Sequence, residues 1–266
     1  MRADAVYLRG ERSVGAAAMR LTSDLHVVGG GYFGFGLSGH LDCHVFVLNS
    51  GGELALIDPG LGTPGDFDTI LDNIRGDGLD PRKIRKLILT HYHCDHIGAA
   101  AEAQERLDVE VYASAIAAPA IRTGDERAVA LDAAKAANFY PDDYVLPPCP
   151  VDVELHEGDV VKIGNLQLET FDTPGHCDGH LSFIMSGGDR SYLLGADLVF
   201  WGGKVLWQNI HDCRIDAYAN SMFKMEGQDF DALVPGHLQI SLRGGKVHLQ
   251  AAAQAFRQLG IPPNLL

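Results

Sequence analysis

The chain has 266 residues, 46% of them hydrophobic and 21% charged. That length and balance describe a soluble globular protein able to bury a large core, and one domain over residues 1–266 is the expectation. Lys and Arg total 21 against 35 Asp and Glu, a formal charge of −14; a field of that sign repels phosphate backbones, so no nucleic-acid partner is expected.

In chain order, Met1 to Met19 interrupts its apolar residues with Arg2, Asp4, Arg9, Glu11 and Arg12, which argues against a secretory signal. No later run reaches the roughly 18 apolar residues that span a bilayer. The expected compartment is the cytoplasm, with no membrane partner. Cysteines 43, 94, 149, 177 and 213 form no C-x-x-C and fit reduced thiols there.

After this short arm, Leu25 to Val28 reads as a strand entering the glycine-rich loop Gly29 to Gly36. Gly29, Gly31 and Gly34 satisfy G-x-G-x-x-G. The next element, Cys43 to Leu48, is a strand by its β-branched and aromatic content, so the strand–turn–helix of a dinucleotide fingerprint is missing. A mobile hairpin tip is expected instead, with Tyr32, Phe33 and Phe35 able to cover a nearby pocket. Leu54 to Ile57 is a further strand, Phe67 to Arg75 a helix, and Ile97 to Leu107 a second helix beginning directly after a histidine cluster. Val109 to Ala113 returns as a strand, and the alanine-rich segment 114–140 reads as a helical insertion. Tyr140 to Asp143 and Pro147 to Pro150 mark the midpoint. The second stretch again gives strands (160–163, 166–171, 181–185, 191–194), then helices near 215–226 and 246–259. Two halves of similar style, about 20–140 and 150–266, suggest two packed sheets with helices outside.

The densest chemistry is His91-Tyr92-His93-Cys94-Asp95-His96, placed after the apolar run Leu87 to Leu89. Three imidazoles and a carboxylate at the end of a buried strand are costly to desolvate unless a cation binds there. Three more apolar strands end in turns with metal-binding side chains: Thr173-Pro174-Gly175-His176, Gly195-Ala196-Asp197 and Pro235-Gly236-His237. Glycine lets such turns bend sharply, so that ligands from distant strands can converge. A lone His after Pro-Gly is usually a surface residue; four such turns together reverse that reading.

These motifs, with Ile57-Asp58-Pro59-Gly60 and Gly179 to Phe183, resemble those of the metallo-β-lactamase-fold hydrolases in residue type and spacing. The resemblance implies an α/β fold, an αββα sandwich of two mixed β-sheets with helices on both outer faces. It assigns His91, His93 and His176 to one metal ion and Asp95, His96 and His237 to a second, with Asp197 bridging them. Imidazole and carboxylate suit Zn²⁺, the expected ion, and are compatible with Fe or Mn. Two cations sharing a water would yield a bridging hydroxide near neutral pH, the nucleophile of a binuclear hydrolase. Asp95 is a ligand that can also orient it. Asp58 is read as support for the ligand loops, and His180 as a hydrogen-bonding residue behind His176.

The leading expectation is cleavage of an ester-like bond (thioester, lactone or related acyl compound) in a small molecule. Glyoxalase II-type relatives share all seven ligands but carry a basic C-terminal helical domain that binds glutathione; only 29 residues follow His237 here, so glutathione specificity is not expected. Lactonases of this fold often place a tyrosine soon after the bridging aspartate, where this chain has Leu198 to Trp201. Dedicated β-lactamases usually replace one of the seven ligands. A mononuclear-iron oxidoreductase similar to persulfide dioxygenases is the enzymatic alternative, and a non-catalytic metal-binding module the alternative of another class. His211, Phe200, Trp201, Tyr32 and Phe33 are the candidate substrate contacts. A homo-oligomer is compatible with the sequence.

Overall fold

The computed structural model describes residues 19–265; most of the N-terminal arm lies outside them. One sheet takes seven strands in sequence order: β1 (Met19–Arg20), β2 (Leu25–Gly29), β3 (Val45–Ser50), β4 (Glu53–Ile57), β5 (Ile84–Ile88), β6 (Glu110–Ser114) and β7 (Val153–Leu155). β1 to β4 pair antiparallel and β4 to β7 parallel. The second sheet has β8 (Val160–Ile163), β9 (Leu166–Asp172), β10 (Leu181–Ser186), β11 (Tyr192–Ala196) and β12 (Ala232–Pro235), in the order β12-β11-β10-β9-β8. Only its β11–β12 pair is parallel. The helices are α1 (Asp66–Gly76), α2 (Cys94–Ile97), α3 (Ala100–Leu107), α4 (Ala118–Thr123), α5 (Leu131–Ala136), α6 (Ile215–Glu226) and α7 (Lys246–Arg257).

Strands β2, β3, β4, β11 and β12 read as near-continuous apolar runs because both of their faces are covered, whereas β8 and β9 alternate buried and exposed residues. In β4, Ala55 and Ile57 enter the layer between the sheets, against Leu168, Phe183 and Leu194 of the second sheet. Leu54 and Leu56 turn the other way, into a layer shared with Phe67, Ile70, Leu71 and Ile74 of α1. That helical set follows the i, i+3, i+4, i+7 stripe of a core-facing helix. A third layer joins Leu193 and Leu233 to Tyr218 and Met222 of α6 and Leu249 of α7. Helix, sheet, sheet and helix thus stack around three apolar layers, an α/β sandwich. Each fully buried Leu or Ile contributes about 1.5–3 kcal/mol.

Two expectations about elements change. The helix read over Ile97 to Leu107 is broken: α2 begins inside the histidine cluster and ends at Ile97, and α3 starts at Ala100. The Ala99 amide donates to Gly60 O of the Asp58 turn, so this contact replaces a helical bond. The boundary between the halves also shifts, because β7 falls in the second stretch of sequence yet pairs with β6 of the first sheet. The glycine-rich loop connects the antiparallel pair β2 and β3, and its Phe33 O accepts from Leu238 N at 2.5 Å. Among the described residues no helix is long and apolar enough to cross a membrane, and all five cysteines are free and buried.

Candidate metal centre

Four strands of two sheets end at one edge of the sandwich, and their following turns meet. His91 and His93 follow β5, Asp95 and His96 sit on α2, His176 follows β9, Asp197 follows β11 and His237 follows β12. The bends are local and specific. Ala196 has φ 41° and Asp58 φ 47°, left-handed conformations that a non-glycine residue adopts at a cost. At Gly236 a Cβ would lie 2.4 Å from Asp197 Oδ1 and 2.8 Å from His96 Cε1, so only glycine lets this turn approach the ligands.

Ligand atoms of His91, His93 and His176 lie within 4.8 Å of one another, as do those of Asp95, His96 and His237. His93 Nδ1 is 2.8 Å from His176 Nε2, and His237 Nε2 is 3.1 Å from Asp95 Oδ2. Asp197 spans the two groups. Its Oδ2 is 3.5 Å from His176 Nε2 and 3.6 Å from His237 Nε2, while its Oδ1 is 3.5 Å from His96 Nε2. His91 Nε2, His96 Nε2 and Asp197 Oδ1 are buried without a hydrogen-bond partner. Orphaned polar atoms are rare in a folded interior and call for an explanation. Divalent cations provide one: the donors are imidazole and carboxylate only, and they converge.

Outer contacts fix these rings. Asp58 Oδ2 is 2.8 Å from His96 Nδ1 and also accepts from Thr90 Oγ1 at 2.7 Å, while its Oδ1 accepts from Thr90 N at 2.8 Å. One buried carboxylate thereby aims Nε2 of His96 into the centre and holds the turn that carries His91. His180 lies behind the Asp197 turn, its Nε2 accepting from Asp197 N at 3.1 Å and its Nδ1 2.8 Å from Thr173 Oγ1. His176 Nδ1 donates to Leu206 O at 3.1 Å.

The protonation states fit cation binding. Burial, then the neighbouring His96, His93 and His176, hold His91 neutral, its pKa well below the ordinary value; burial and His176 lower His93 to about 3. Burial opposes ionisation of Asp197 and Asp95, yet adjacent imidazoles outweigh it. His237 and His96 hold Asp197 well below the usual carboxylate range, and His96 and His237 bring Asp95 to about 2. His96 is the exception: burial disfavours its charge, but Asp95, Asp197 and Asp58 among its neighbours help lift its pKa well above normal. That cluster of carboxylates calls for positive charge at this point.

Residues 38–237 match the family model of the metallo-beta-lactamase superfamily. The chain belongs to this superfamily. A probable metallo-hydrolase of Bacillus subtilis, YqgX, is 31% identical over 166 residues, 62% of this chain and 70% of that protein. A hydroxyacylglutathione hydrolase of Rhodopseudomonas palustris is 28% identical over 135 residues, 48% of this chain and 42% of that protein. Among solved structures, a metallo-β-lactamase of Cronobacter sakazakii with a HARLDQ motif covers 91% of this chain and 97% of its own, with a TM-score of 0.70 and 20% identity. At that identity the likeness is one of fold. Superfamily membership and metallo-hydrolase homologues support hydrolase activity and divalent-metal binding.

In this member of the superfamily the centre faces a cavity of about 570 Å³, whose floor includes His93, Asp95, Asp197 and His237. Of the expected substrate contacts, Phe33 lines it, with its ring 6.5 Å from His237. The other four do not. Tyr32 points to solvent at 71% exposure beside Phe33. Phe200 is fully buried, its ring 6.1 Å from His237, and packs rather than facing the cavity. Trp201 covers the His248 ring at 4.3 Å. His211 is exposed, 3.9 Å from Asp212 Oδ1. For Phe200 and Trp201, nearness to Asp197 in sequence does not fix where the side chain points, because successive side chains leave a turn in different directions.

Trp207, an aromatic residue expected near the mouth, forms one wall with Ile210, and Val129, Leu131, Ala133 and Ala137 of the alanine-rich segment form another, so that insertion is a wall of the pocket. Tyr140 is buried beside the cavity and donates to Asp95 Oδ1 at 3.2 Å. Its only sequence signal was an aromatic residue opening a Pro-Asp turn. Tyr92, within the cluster, hydrogen-bonds Asp212 and ties it to the 206–213 loop.

Proposed function

We propose that this protein is a binuclear metal-dependent hydrolase that cleaves an ester-like bond, a thioester, lactone or related acyl linkage, in a small molecule. The observation that carries the reading is Asp197, whose two carboxylate oxygens address both ligand groups beneath an accessible cavity. His91, His93 and His176 would hold one ion, Asp95, His96 and His237 the other, and Asp197 both, with zinc the ion best suited and iron or manganese compatible. Such ions supply Lewis acidity and acidify a bound water.

The chain's own residues do the rest. Asp95 presents Oδ2 to His237 and gives Oδ1 to the Tyr140 hydroxyl, so its carboxylate has one orientation and can direct an entering water toward an acyl carbon. The apolar walls exclude bulk water and receive the acyl portion. A purely structural metal module needs no such cavity, which favours catalysis. We assign the enzyme to the cytoplasm as a single domain, acting on small molecules without nucleic-acid or membrane partners.

Metal analysis of the purified protein, run with a panel of thioesters, lactones, phosphoesters and β-lactams, tests the reading. About two equivalents of zinc, turnover of one acyl class and loss of that turnover on chelation are expected. One equivalent of iron with oxygen consumption would replace hydrolysis with oxygenation.

A further inference from the structure

The cavity departs from what an anionic substrate requires. None of its lining residues, among those described, is Lys or Arg; the charged side chains that reach it are Asp42, Asp95 and Asp197. On α5, Ala134 and Ala136 line the cavity, while the Lys135 ammonium between them is engaged by Glu126 at 2.9 Å. The protein as a whole carries a formal charge of −14. Ions at the centre would attract the group being cleaved. A second anionic group farther along the substrate would meet Asp42, the His40 imidazole, neutral amides and hydrocarbon, with no Lys or Arg to pair it, and burying it without a partner is unfavourable.

Beyond these groups, His40, Gln208 and Asn209, the side walls are mainly apolar and graded in size. Leu206, Trp207 and Ile210 supply bulk, while Ala133 and Ala137 keep their part of the lining thin. A volume of about 570 Å³ lies within the range of pockets that enclose a whole small ligand.

We propose that the substrate is an uncharged acyl compound carrying a medium-length alkyl chain, which lies against the 129–137 wall, and that Ala133 and Ala137 set the chain length accepted. This rests on the hydrolase reading for its scissile bond, but the binding of the chain can be measured separately. Asp42, 2% exposed and already accepting from Ser38 Oγ, Gly39 N and Leu61 N, offers an anion no donor.

The test pairs turnover with binding. Acyl thioesters from C2 to C10 are compared on two thiols, uncharged N-acetylcysteamine and anionic glutathione. Calorimetry then measures the affinity of the metal-loaded protein for 2-alkanones from C4 to C10. Affinity is expected to rise about fourfold per methylene, and kcat/KM to favour the N-acetylcysteamine ester at least tenfold at each chain length. Ala133→Leu and Ala137→Leu should move both optima to shorter chains. Alkanone affinity that does not change with length, or equal or better cleavage of the glutathione ester, overturns the proposal. Should no thioester be cleaved while the alkanone series and its shift in the leucine variants appear, the acyl site stands and the hydrolase reading falls.

Discussion

The floor and the wall of the cavity are built on opposite physical terms. The floor consists of strand ends whose polar side chains are buried and held by hydrogen bonds of His96 to Asp58, His91 to Thr90 and the Asp197 amide to His180. The wall over 129–137 is apolar and mostly alanine, with Val129 and Leu131 buried in it; Ala133 and Ala137 are exposed at its edge. A ligand misplaced by 1 Å weakens both a metal site and a transition state, whereas an alanine wall tolerates changes in shape. The contrast places reaction chemistry in the floor and choice of substrate in the wall. Substitutions in the floor should therefore act on metal content and kcat, and substitutions in the wall on the ranking of substrates.

The largest effect is expected at Asp197, the residue common to both ligand groups. Asp197→Ala removes a buried charge that faces His176, His96 and His237. Several kcal/mol of charge stabilisation disappear with it, which corresponds to a fall in kcat/KM on the order of a thousandfold. Metal analysis should show less than the full complement of bound ion. A variant with normal metal content and near-normal turnover would dissolve the distinction between floor and wall.

Asp58→Ala comes next. It touches no cavity atom but removes the acceptor of His96 Nδ1, Thr90 N and Thr90 Oγ1. Loss of such outer contacts typically costs ~10–100-fold in metal affinity or activity. Competition with a chromophoric chelator reads the affinity directly, and equal retention of metal by variant and parent would count against an aiming role.

These two residues also show what a sequence can disclose. The seven side chains that converge at the strand ends could be picked out because potential metal donors are chemically rare there, and because turns with Gly or Pro mark where strands stop. The apolar layers were legible from periodicity. The cavity wall was not: alanine carries no chemical signature, and the pairing of Tyr140 with Asp95 depends on how 114–150 folds across the mouth. Phe200 and Trp201 were misplaced because nearness to Asp197 in sequence does not fix the direction of a side chain. Broken helix α2–α3 was missed because the Ala99–Gly60 bond that interrupts it is non-local.

Tyr140 joins the two regions, rising from the end of the wall to bond the floor. Tyr140→Phe preserves its packing and frees Asp95 Oδ1. One hydrogen bond to a charged group is worth roughly 1.5–3 kcal/mol, and an entering water can replace part of it, so a fall in kcat of about three- to tenfold is expected. Substrate ranking should not change. In a Co²⁺-substituted protein the visible spectrum should shift as the carboxylate loses its fixed orientation, and an unaltered spectrum would make Tyr140 a wall residue only.

The smallest effect tests the fold outside both regions. Asp66 opens α1, hydrogen-bonded by Thr63 Oγ1. Burial, then the charges of Asp42 and Glu102, raise its pKa from the ordinary 3.8 to about 7. The folded protein therefore keeps this proton where the unfolded chain has released it, so stability falls as pH rises from about 4 to about 7 and is level above. Asp66→Asn is neutral at every pH and retains an acceptor for Thr63. It should raise stability at pH 8 by on the order of 1 kcal/mol, a figure reduced for solvent screening of a half-buried group, with the gain fading toward pH 4. Denaturant midpoints at the two pH values check it. A loss of stability at pH 8 would mean that attraction of the carboxylate to the α1 N-terminus outweighs its burial.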